Sequence, residues 1–96
     1  MRMYDCNRIL RGNKYNSLKE ELSACLDQCG VKVFGFNTPR GQRGVYFYVD
    51  SLDTERFRNE FTGDQCIKGP EHWFFFTQIS ENKYYASSKI IRFEYA

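Results

Sequence analysis

Residues 16–49, NSLKEELSACLDQCGVKVFGFNTPRGQRGVYFYV, change their hydrophobic period once, at Gly30, and that change decides the fold class. Leu18, Leu22, Cys25, Leu26 and Cys29 recur at helical spacing, while Lys19, Glu20, Ser23, Asp27 and Gln28 fall elsewhere on the same helix. Ser17 and Glu20 have the spacing of a capping box and Gly30 supplies a stop, so a helix is predicted between them. After Gly30 the residues become β-branched and aromatic over 31–36, turn-forming over 37–44, and β-branched and aromatic again over 45–49. This pattern predicts a hairpin with a long loop. In its second strand Val45, Phe47 and Val49 point to one side and Tyr46 and Tyr48 to the other.

Working outward, Asp53 is a good N-cap for a second helix, and Leu52 with Phe57 occupies the positions of a hydrophobic staple. Gly63 would end that helix, and Phe57 and Phe61, one turn apart, would dock on the sheet. Residues 64–70 read as a connector into which Cys66 and Ile67 tuck. Residues 73–79 and 89–95 read as strands of a final hairpin, with an ambiguous segment at 84–88, and residues 2–10 as an opening strand. The expected architecture is therefore one α+β domain over residues 1–96, in the order β-α-β-β-α-β with an additional C-terminal strand.

That order resembles the ferredoxin-like split β-α-β arrangement, which implies an antiparallel sheet carrying two helices on one face. The superfold hosts many functions, so function has to come from particular residues. Arg43-Gly44-Val45-Tyr46-Phe47-Tyr48-Val49-Asp50 resembles the third-strand signature of RNA-recognition domains at its first, second and fifth positions. It departs where Val45 replaces a stacking aromatic, Tyr46 a small residue and Asp50 a final aromatic. The resemblance implies single-stranded RNA stacked on Tyr46 or Phe47 beside Arg40 and Arg43. The competing expectation is that these rings pack under the helices or against the final hairpin.

Composition narrows the function classes. A chain of 96 residues with 42% hydrophobic and 27% charged content suits one soluble domain, and an apolar run such as residues 73–76 is far too short to span a membrane. The first residues lack the apolar run of a secretory signal, so a cytoplasmic location is expected. A formal net charge of +2, from 14 basic and 12 acidic side chains, marks neither a DNA mimic nor a strong polyanion binder. Arg2, Arg8, Arg11 and Lys14 nevertheless crowd the first segment, and Arg40 and Arg43 flank Gly41 in the hairpin loop.

Cys6, Cys25, Cys29 and Cys66 have the number for two disulfides or one tetrahedral metal site, but lack Cys-x-x-Cys knuckle spacing. Reduced, buried thiols are the default expectation, and no metal or cofactor is assigned, although Cys25 and Cys29 share a helix face. His72 is the only histidine and has no accompanying nucleophile motif, and the carboxylates are scattered. No enzymatic activity is expected.

The aromatic content remains to be explained: seven Tyr, nine Phe and one Trp make up 18% of the chain, more than a small core is expected to absorb. Tyr, Trp and Arg are the residue types that anchor interfaces. The candidate partner-binding residues are Arg40, Arg43, Tyr46, Tyr48, Trp73, Tyr84 and Tyr85. A compact, aromatic-rich chain without catalytic motifs is similar to the small accessory proteins of bacteriophages and other mobile elements. That resemblance implies a stoichiometric inhibitor of a host protein or of a nucleic-acid-targeting defence complex, held by protein contacts. The alternative is a single-stranded RNA-binding domain. Residues 90–95 would form an edge suited to homodimer pairing or partner strand addition.

Overall fold

The computed structural model describes residues 3–6, 14–41, 43–63 and 65–90. Along the chain these form β1 (Met3–Asp5), α1 (Leu18–Gln28), β2 (Val33–Asn37), β3 (Gly44–Val49), α2 (Thr54–Phe61), β4 (Cys66–Lys68), β5 (His72–Gln78) and β6 (Lys83–Ile90). The strands make one sheet in the order β1-β4-β5-β6-β3-β2. Among the described strands, β1 pairs with β4 in parallel and the other four pairs are antiparallel.

The α+β class matches the expectation, but the strand order is not the ferredoxin-like one. In that arrangement the first strand lies inside the sheet, and another strand separates it from the strand that ends its own β-α-β unit. Here β1 is an edge strand of three residues, and the β5–β6 hairpin takes the middle of the sheet. The physical reason is ladder length. β5 and β6 pair over seven consecutive positions from His72–Ile90 to Gln78–Tyr84, whereas β1 offers three. The longest two-sided strands gain most from neighbours on both edges. The segment read as a connector contains β4, which joins β1 to β5. β6 begins at Lys83 rather than at 89, because Tyr84, Tyr85, Ala86 and Ser87 alternate between the two faces. Of the C-terminal strand expected at 89–95, residues 91–95 lie outside the described residues, and β6 itself is interior, flanked by β5 and β3.

α1 starts and stops for local reasons. Ser17 Oγ accepts from the Glu20 N–H at 3.2 Å, and the Glu20 carboxylate accepts from the Asn16 N–H at 2.8 Å, a capping box displaced by one residue. Gly30, at φ +72°, turns the chain, so that Gly30 N–H donates to Asp27 O and Val31 N–H to Leu26 O, both at 3.0 Å. These two bonds form a Schellman motif. At α2 the Asp53 side chain makes no capping bond, and Leu52 is 92% exposed, so the expected staple with Phe57 is not formed.

Both helices pack on the same side of the sheet. Leu22, Cys25 and Leu26 of α1 and Phe57 and Phe61 of α2 share one buried cluster with Val45, Phe47, Val49, Phe74, Phe76, Tyr84 and Ala86. Phe57 meets Tyr84 edge-on at 4.7 Å between centroids, Phe76 at 5.2 Å and Phe47 at 5.8 Å. Tyr84 is a core residue because its hydroxyl finds a partner there, Thr54 Oγ1 at 2.8 Å. Truncating the ring at the centre of this cluster leaves a cavity, so Phe57→Ala is expected to lower unfolding free energy by about 3–5 kcal/mol. Leu52→Ala should stay within about 0.5 kcal/mol of the parent in urea titrations.

Candidate binding surface on the open sheet face

Strand alternation puts a second, different set of residues on the side of the sheet away from the helices. On β3 these are Gly44, Tyr46 and Tyr48; on β5 Trp73, Phe75 and Thr77; on β6 Lys83, Tyr85, Ser87 and Lys89. Register joins them across strands: Tyr46 lies opposite Tyr85, Tyr48 opposite Lys83, Phe75 opposite Ser87, and Trp73 between Lys68 and Lys89. Six rings, those of Phe34, Tyr46, Tyr48, Trp73, Phe75 and Tyr85, therefore share one face. Phe34 is 52% and Tyr48 37% exposed, and the other four are partly covered by one another.

Two glycines shape this face. Gly35 sits at φ +67° in an irregularity of the β2–β3 pairing, between the pairs Phe34–Tyr48 and Asn37–Tyr46. The extra residue separates two phenylalanines of equal parity. Phe34 stacks outward on Tyr48 at 5.8 Å, while Phe36 turns inward to Phe47 at 6.0 Å. Of the two, only Phe36 packs against the core. At Gly44 the Tyr85 ring lies on the backbone where a Cβ would stand, and that Cβ would also come within 2.6 Å of Ala86 O. Tyr85 is thereby laid against Tyr46, with 4.7 Å between ring centroids.

Charge on this face is one-sided. Lys83 Nζ stands 5.0 Å from the Tyr46 centroid and 5.8 Å from Tyr48, Lys89 Nζ 5.6 Å from Phe75, and Lys68 Nζ 6.0 Å from Trp73. Each ammonium is held over a ring by cation–π attraction. Asp5, opposite Lys68 at the β1 edge, is the acid that the described strands contribute to this side. Arg43 is exposed at the Lys89 end, its carbonyl accepting from Ser88 Oγ at 3.0 Å, and Arg40 is exposed in the same β2–β3 loop.

Of the residues anticipated from the sequence, Tyr46, Tyr48, Trp73 and Tyr85 come together on this face, with Arg43 at its margin. Tyr84 does not: it is fully buried on the helix side, and parity within β6 forces the two adjacent tyrosines apart. Phe34, Phe75 and the three lysines were missed. The lysines were legible only as scattered charges, because their convergence depends on cross-strand register.

A second cluster lies under α1. Glu21, 1% exposed, reaches the turn before β5, where its Oε2 accepts from the Glu71 and His72 N–H groups, each at 2.8 Å, and its Oε1 lies 2.7 Å from His72 Nδ1. The Glu21, Glu71 and His72 donor atoms lie within 4.8 Å of one another, the spacing of a metal site. Both Glu21 oxygens are already engaged, however, so the arrangement reads as a clamp between α1 and the β4–β5 turn. Gly69 makes room for it, since a Cβ there would approach Glu21 Oε2 to 2.7 Å and Cys25 Sγ to 3.0 Å. Position 21 falls in the helical stripe of Leu18, Leu22 and Cys25, and a charge in that stripe is the signal that would have found it.

Beside the clamp, Cys6 Sγ lies 3.9 Å from Cys29 Sγ and 3.6 Å from Cys25 O. Thiol hydrogen bonds from Cys25 and Cys29 pull Cys6 well below the ordinary thiol range, and the same bonds, with burial, push those two up. All four cysteines are free thiols. Cys66, beneath the open face, is pushed up by burial.

Replacing the clamp carboxylate would leave two backbone donors and the imidazole without a partner. Glu21→Ala is therefore expected to lower stability by about 3 kcal/mol or more, against about 0.5 kcal/mol or less for exposed Glu55→Ala, measured by chemical denaturation. No family model matches the chain, and neither a characterised protein nor a solved structure is detectably similar to it.

Proposed function

We propose that the protein binds single-stranded nucleic acid on the open face of its sheet, without catalysis. One observation carries this reading: among the described residues of the strands, six aromatic rings share a face with three lysines and one acid, each lysine lying over a ring. Unpaired bases offer π-faces that stack on such rings regardless of sequence, and phosphates between them meet the ammonium groups. The formal net charge of +2 conceals this asymmetry, since the acids lie mostly elsewhere. A duplex keeps its bases paired and stacked, so the rings favour a single strand.

A protein partner is the second reading, and it draws on the outward Phe34–Tyr48 stack at the β2 edge, with 5.8 Å between centroids. Exposed aromatic pairs of this kind anchor protein interfaces, as a stoichiometric inhibitor would require. The interleaved lysines favour the polyanion over it.

Fluorescence anisotropy with labelled oligothymidylate and oligouridylate tests the proposal. Three phosphate contacts predict a slope of log K against log salt of about −2. Tyr46→Ala and Tyr85→Ala should each weaken binding by about 1–3 kcal/mol. A combined Lys83→Glu, Lys89→Glu variant should abolish binding while remaining folded by circular dichroism. Undiminished binding by that variant, or no binding by the parent protein even at low salt, would overturn the assignment. In the latter case, loss of a captured protein on Phe34→Ala would favour the second reading.

A further inference from the structure

Cys6 and Cys29 belong to neither the open face nor the clamp, yet they bring together the two ends of one loop. Cys6 continues the β1–β4 ladder, its N–H donating to Lys68 O at 2.9 Å, and Cys29 is the C-cap of α1. Their sulfurs are 3.9 Å apart, a non-bonded contact, against about 2.05 Å in a disulfide. Cys25 is fully buried behind them, whereas Cys29 is partly exposed and Cys6 is 4% exposed.

We propose that Cys6 and Cys29 form a peroxide-responsive dithiol pair that closes to a disulfide linking the edge strand β1 to the end of α1. Cys6 is the attacking sulfur: Cys29 Sγ, 3.9 Å away, can donate to its thiolate and is placed to attack it in turn. Its lone pair attacks one oxygen of hydrogen peroxide; the O–O bond breaks, and hydroxide leaves and is protonated to water. Cys6 is then a sulfenic acid. Cys29 loses its proton as its sulfur attacks Cys6 sulfur, the S–O bond breaks, and the hydroxyl leaves as a second water. Two thiols are oxidised to one disulfide and one peroxide is reduced to two waters. The bond closes a loop that contains all of α1 and ties the edge strand β1 to the end of that helix.

The experiment is a peroxide titration of the native full chain, followed by unfolding in N-ethylmaleimide, intact-mass measurement and peptide mapping. Two of the four cysteines should escape alkylation, and the cross-linked peptide should join Cys6 to Cys29. Closure should be at least about tenfold faster in the native chain than in concentrated urea, since the fold holds the pair in contact. Cys29→Ser should stop at a Cys6 sulfenic acid trapped by dimedone, and Cys66→Ser should behave like the parent. Alkylation of all four cysteines after peroxide, a cross-link through Cys25 or Cys66 in the parent, or equal rates in native buffer and urea would overturn the proposal.

Discussion

The structure depends on the register of the β5–β6 hairpin. Seven paired positions hold Phe74, Phe76, Tyr84 and Ala86 toward the helices and Trp73, Phe75, Tyr85 and Ser87 away from them. A slip of one residue would exchange these sets, exposing the rings that close the core and burying lysines in their place. That penalty makes the register self-enforcing, and β3 and β4 then join the hairpin's two flanks already knowing which face is which. The Tyr84 hydroxyl bond to Thr54 adds a polar check, because only the correct parity brings it within reach of α2.

Local signals were legible wherever a few neighbouring residues decide the outcome. α1 follows from its period, capping box and stop glycine; α2, the β2–β3 hairpin and the inward set of Val45, Phe47 and Val49 follow from period and turn residues, although the cap and staple expected for α2 are not formed. The strand order was not legible, because it compares pairings between segments far apart in sequence. β1 and β4 are each three residues long and carry no alternation worth reading. The ferredoxin-like analogy placed β1 where the longer hairpin actually sits.

The binding face was half legible for the same reason. Tyr46 and Tyr48 follow from parity within one strand, but Tyr84 and Tyr85 form an aromatic pair whose inner member can be known only from register. Phe34 and Phe36 share parity and were inseparable until the irregularity at Gly35 divided them. Glu21 was a different kind of omission: a carboxylate in an apolar stripe is conspicuous, but its partners, Glu71 and His72, lie 50 and 51 residues away.

The location of the single tryptophan has a practical side. In many small domains the indole sits in the core, and its emission follows unfolding. Trp73 instead stands on the open face between Lys68 and Lys89, with its ring 6.5 Å from Phe75. Its fluorescence is thus a built-in, label-free reporter of what lies on that face. Unfolding of the opposite side would be followed better through the tyrosine and phenylalanine signals of the buried ring cluster.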